Sequence, residues 1–138
     1  MTRRTIADRY EKAAANLLRQ HGAQATWTEA RYWRAAIAYV PERHLYSPRP
    51  RDCRTFYLFC HELAHIALDH RYLGPHMGMQ DEMEADVWAV RRLKRLRGWV
   101  PQSVRSMLIR RGLRLAESAL QHGCAMPDCL NALAKALR

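Results

Sequence analysis

No stretch of the chain approaches the roughly 18 to 20 uncharged apolar residues that a membrane-spanning helix needs. The opening residues MTRRTIADRY carry no apolar segment of the signal-peptide kind. Both absences lead to the expectation of a protein that stays in the cytoplasm. The four cysteines, Cys53, Cys60, Cys124 and Cys129, include no C-x-x-C pair. That spacing argues against a zinc ribbon and, in a cytoplasmic chain, against a disulfide framework. Cys60 reads instead as a small buried apolar residue. Internal repeats and low-complexity tracts are absent, and lysine nearly so: 3 Lys stand beside 20 Arg, and only 13 acidic residues offset them, for a net charge of +10.

What is present is ordinary globular material. A chain of 138 residues, 49% hydrophobic and 26% charged, has the size of one domain and too many core-forming side chains for disorder. The arginine excess has two readings, codon bias in a GC-rich genome or a polyanionic partner whose phosphates the guanidinium groups neutralise. From Val87 to Ala116 there are nine basic residues and no acidic one, including Arg91, Arg92, Lys94, Arg95 and Arg97. This run is either a nucleic-acid-binding surface or a solvated helix face.

Along the chain, Ile6, Tyr10, Ala13, Ala14, Leu17 and Leu18 recur at helical spacing, and Gly22 marks a stop. A polar turn follows. Short strands are expected in the second half of Trp27 to Val40 and from Glu42 to Tyr46, with a loop over Ser47 to Arg51. Asp52 is placed to cap a helix from Cys53 to about His70, whose apolar residues surround it and mark it as buried. Gly74 to Gly78 reads as a loop, and Asp81 with Glu84 as a capping-box start to a helix ending near Arg97. Helical patterns continue to about His122 and from Pro127 to Leu137.

The buried helix holds His61, Glu62, Leu63, Ala64 and His65, an H-E-x-x-H pattern. Histidines four apart on a helix share a face and can bind one Zn²⁺, while the Glu after the first reaches a water on the metal. Zinc lowers the water's pKa, Glu62 takes its proton, and the hydroxide attacks a polarised carbonyl. With 7 His and 7 Glu in 138 residues, chance produces this pattern in roughly 2% of chains of like composition. The competing reading, a pair of hydrogen-bonded core histidines, is costly, because three polar side chains in an apolar helix need something to organise them.

A catalytic zinc wants a third protein ligand. Glu82 and Asp86 are four apart on the next helix and share a face, so Glu82 is the expected ligand and Asp86 the carboxylate that braces a zinc-bound histidine. His76 in the Gly-Pro loop is the competing ligand; His70, five residues after His65 on the same expected helix, should face away. Tyr72 and His76 are candidates for stabilising the transition state. The strand Glu42 to Tyr46 could take up an extended substrate by adding a strand to its edge, or could be an ordinary edge strand.

His61-Glu-Leu-Ala-His65, followed after a short loop by Glu82-Met-Glu-Ala-Asp86-Val-Trp-Ala, resembles the ImmA/IrrE family of zinc metallopeptidases over roughly Ala36 to Pro101. The resemblance implies a gluzincin-like site in which His61, His65 and Glu82 bind one zinc per chain and Glu62 is the general base. It also implies a substrate such as a helix-turn-helix repressor, cleaved in a stress response or on induction of a mobile element. Cys60 stands where the family pattern has a small residue such as Ala. The expected architecture is a single helix-rich α+β, zincin-like domain with a small antiparallel sheet before the active-site helix: an N-terminal helix over 1–22, the zincin core over 34–101 and C-terminal helices over 102–138. Two rivals are an SprT-like protease acting on DNA-associated proteins, and a non-catalytic Arg-rich module that binds nucleic acid or protein around a structural metal.

Overall fold

In the computed structural model, which describes residues 4–29, 36–71 and 75–138 (backbone alone at 75–77), the chain forms two units, 1–70 and 71–138. The first begins with helix α1 (Ile6–Gln20), which Thr5 caps: its side chain accepts from the Asp8 N–H, and the Asp8 carboxylate accepts from the Thr5 N–H. Reciprocal bonds of this kind satisfy two N–H groups that a helix start otherwise leaves unpaired. α1 buries Tyr10 and Ala14. The Tyr10 ring lies 5.5 Å from that of Phe56, and its hydroxyl is 2.9 Å from Cys53 Sγ, so α1 is held to the first turn of the helix that follows the sheet.

Strand β1 (Gln24–Thr28) begins two residues after Gly22, whose φ of 57° turns the chain out of the helix. Its first three residues, Gln24 to Thr26, occupy the segment expected to be a polar turn. Strands β2 (Ile37–Tyr39) and β3 (His44–Pro48) complete a three-stranded sheet in the order β1-β3-β2. The sheet is mixed, not antiparallel: β3 pairs parallel with β1, Ala25 opposite Leu45, and antiparallel with β2, Ala38 opposite Leu45. β3 is therefore the central strand. Both its edges already carry ladder bonds, which overturns the expectation that this segment could bind a peptide along its edge. The period of two puts Leu45 and Ser47 on the buried face and leaves Ile37, Tyr39 and Tyr46 on the exposed one.

Asp52 caps helix α2 (Cys53–Ala67) by accepting from the Thr55 N–H at 2.8 Å, while the Thr55 hydroxyl accepts from the Asp52 N–H. Phe56, Tyr57, Phe59, Cys60, His61, Leu63, Ala64, His65 and Ile66 are all buried, as the apolar residues around this helix imply. Trp27 of the sheet meets Phe59 with ring centroids 5.8 Å apart. Burying each such aromatic stabilises the unit by about 1.5–3 kcal/mol, and together they seat α2 on the sheet.

The second unit contains helices α3 (Pro75–Arg97), α4 (Gln102–Gln121) and α5 (Asp128–Ala136). α3 starts at Pro75, so the loop expected over Gly74 to Gly78 is helical from its second residue. Proline suits the first helical position, where the N–H it lacks would go unpaired. Asp81 accordingly lies inside α3 rather than at its start, and Glu84 accepts from the Gln80 side chain at 3.2 Å instead of closing a capping box with it. Gly98, at φ 81°, ends the helix. Leu93 of α3, Leu108 and Leu115 of α4 and Leu133 of α5 are buried in this unit. α4 and α5 come close at Gly112, where an added Cβ would sit 3.2 Å from the Leu133 side chain.

Candidate metal centre

α2 aims both histidines of the motif at one point. His61 Nε2 and His65 Nε2 lie 3.3 Å apart, and the residues are 7% and 6% exposed. Two nitrogens bound to a tetrahedral zinc at about 2.0–2.1 Å are themselves about 3.3 Å apart, so the pair has the spacing that ion requires. Glu62, between them in sequence, is half-buried on the same helix.

The end of α2 adds a residue that the sequence reading discounted. The helix stops at Ala67, Asp69 takes a left-handed conformation with φ 51°, and the His70 N–H reaches back to the His65 carbonyl at 2.9 Å, while the Asp69 N–H bonds the Ile66 carbonyl at 3.2 Å. These two bonds define a Schellman turn, which reverses the chain over its own last helical turn. His70 is thus off the helix and folded back onto it. Its Nδ1 lies 2.9 Å from His65 Nδ1, with the ring buried. His70 was expected to face away because α2 was extended to it; the earlier stop brings it to His65. No glycine signals that stop.

On α3, Glu82 is half-buried and Asp86 is fully buried four residues later. Arg111 of α4 donates from Nη1 to both Asp86 oxygens, at 2.9 and 3.0 Å. A guanidinium at this distance neutralises a carboxylate that burial would otherwise disfavour. Arg111 was absent from the sequence reading, since a contact between residues 25 apart on different helices leaves no local pattern. Glu82, Asp86 and Arg111, with Met79, Met83 and Arg114, line a hollow of about 120 Å³. A larger hollow of about 170 Å³, lined by Leu115, Ala119, His122 and Pro127 among others, has no carboxylate in its wall.

Each unit brings donor groups of its own: His61, His65 and His70 are buried in the first, and Asp81 is buried with Glu82 and Glu84 half-buried in the second. Tyr72 and the side chain of His76, the expected transition-state stabilisers, lie outside the described residues. Of the basic run, Arg91 and Arg95 are exposed, whereas the Arg92 guanidinium stacks 3.7 Å over the Trp88 ring and Arg97 lies 5.6 Å from the centroid of Trp99. Lys94, Arg95 and Arg97 occupy the last turn of α3, where cations are favoured by the helix dipole. No helix among the described residues is long and apolar enough to cross a membrane.

No protein-family model matches the chain, and no curated protein or solved structure matches it either.

Proposed function

We propose that the chain is a zinc-dependent endopeptidase of the ImmA/IrrE kind, hydrolysing a peptide bond in a protein substrate such as a helix-turn-helix repressor. The observation that carries this reading is the convergence of two buried imidazoles at 3.3 Å with a glutamate directly after the first. A purely structural metal has no use for a carboxylate base beside it. In the proposal His61 and His65 give their Nε2 lone pairs and Glu82 a carboxylate oxygen as ligands. When bound, zinc supplies Lewis acidity to the substrate carbonyl and makes water a stronger acid.

The remaining work falls to the chain. Glu62 accepts the proton of the water that adds to the carbonyl carbon and returns it to the amine nitrogen as the C–N bond breaks. Burial of the two histidines keeps them from competing hydrogen bonds with solvent. Asp86 would brace a zinc-bound histidine, and its two bonds from Arg111 tie α3, the helix that carries Glu82, to α4. The exposed Arg91 and Arg95 support a substrate met on DNA, where their charge would draw the enzyme to the phosphates.

Cleavage of unfolded casein and of helix-turn-helix repressors by zinc-loaded protein tests the reading. Glu62→Gln should keep its zinc and lose about 10²- to 10⁴-fold in rate. Hydrolysis by Glu62→Gln at the wild-type rate would refute it.

A further inference from the structure

A histidine that offers Nε2 to a metal carries its proton on Nδ1, and that proton needs an acceptor. For His65 the structure places another imidazole there: His70 Nδ1, at 2.9 Å, both rings buried at 6% and 8% exposure. Two imidazole nitrogens at this separation share one proton, because two protons would clash and two lone pairs would repel. Only two arrangements satisfy this. If His70 Nδ1 holds the proton, neutral His65 is protonated on Nε2 and has no lone pair to give. If His65 Nδ1 holds it, the Nε2 lone pair faces the same point as His61 Nε2, 3.3 Å away.

We propose that His70 is a positioning residue of the metal centre, its neutral Nδ1 accepting the hydrogen bond donated by His65 Nδ1–H and so fixing His65 in the tautomer and ring orientation that binds metal. The inference rests on the metal-centre reading and extends it to a residue outside the H-E-x-x-H motif. The backbone is built for the task. The Schellman turn binds the His70 N–H to the carbonyl of His65 itself, at 2.9 Å, so one residue is tied to the other through both main chain and side chain. The cost of a left-handed aspartate at Asp69 is met at the position that makes this return possible. A neutral acceptor also orients His65 without adding a negative charge beside the metal, which a carboxylate in the same place would do.

The test reads the proton directly. In zinc-free, ¹⁵N-labelled wild-type protein, two-bond ¹H–¹⁵N correlations should show His65 protonated on Nδ1 and His70 on Nε2. Zinc titration of three forms completes it. His70→Phe keeps the ring volume without an acceptor and should bind zinc about 10- to 100-fold more weakly. His70→Asn restores an acceptor near the Nδ1 position and should recover most of the loss. A wild-type His65 protonated on Nε2, or His70→Phe binding zinc as tightly as wild type, would overturn the proposal while leaving the metal centre standing. Wild type without zinc affinity would overturn the metal centre and this role together. Should His70→Phe fail to fold, the wild-type tautomers alone decide.

Discussion

Asp86 is fully buried, and both its oxygens accept from the Arg111 guanidinium. Removing the cation takes charge-assisted hydrogen bonds from both oxygens of a buried carboxylate, so Arg111→Met should lower the stability of the protein by about 1.5–3 kcal/mol. An unshifted urea midpoint would show that Asp86 does not depend on Arg111. The cysteines offer a second residue-scale check. Cys124 is exposed, whereas Cys60 and Cys129 are buried, and burial followed by the nearby charge of Glu84 pushes the Cys129 thiol up from 9.0. A thiol reagent should modify Cys124 first, and Cys60 and Cys129 only on unfolding. A thiol pKa raised by folding stabilises the native state below its unfolded value. That contribution is lost as pH climbs from 9.0 toward the raised value. Early labelling of Cys129 in native protein would contradict its burial.

At the scale of elements, helix ends carry much of what sets the site. Asp52→Ala removes the N-cap of α2 and should cost about 1 kcal/mol, read as a lower melting temperature. In α1 the Asp8 carboxyl is held below 3.8 first by its hydrogen bond with the Thr5 backbone and then by that with the Thr5 side chain. Its stabilising effect is complete above 3.8 and fades as pH falls through the lowered value. Protection factors at the start of α1, corrected for the intrinsic pH dependence of exchange, should therefore fall on acidification while those within α2 hold; uniform loss across both helices would count against this. The same ends explain what was legible. Asp52 and Gly22 mark boundaries by local chemistry, and the wide apolar surface of α2 announces its burial. β1 was hidden because its alternation spans only five residues and rests on one small apolar side chain, Ala25, and one large one, Trp27. The parallel pairing of β1 with β3 depends on a crossover that no local pattern encodes. The start of α3 was masked by Gly78, a residue that weakens a helix without forbidding it. His70 was misplaced because an aspartate, not a glycine, makes the left-handed turn before it.

For the whole molecule, a net charge of +10 predicts affinity for duplex DNA that falls steeply with added salt. Replacing the exposed Arg91 and Arg95 with Glu should weaken that binding and flatten its salt slope. Binding unchanged by this pair would place the interaction elsewhere and leave their charge to solvent. The proposed chemistry, by contrast, rests on few residues: His61 and His65 in the first unit and Glu82 in the second, with Glu62 as base and His70 behind His65. Its central claim is that these ligands hold one ion. Zinc content of purified protein, measured for wild type, His65→Ala, Glu82→Ala and Glu62→Gln, tests this most directly. About one zinc per chain in wild type and Glu62→Gln, lost from both alanine variants, is the predicted result. Wild type free of zinc under metal-replete conditions, or Glu82→Ala retaining it at full occupancy, would contradict the account.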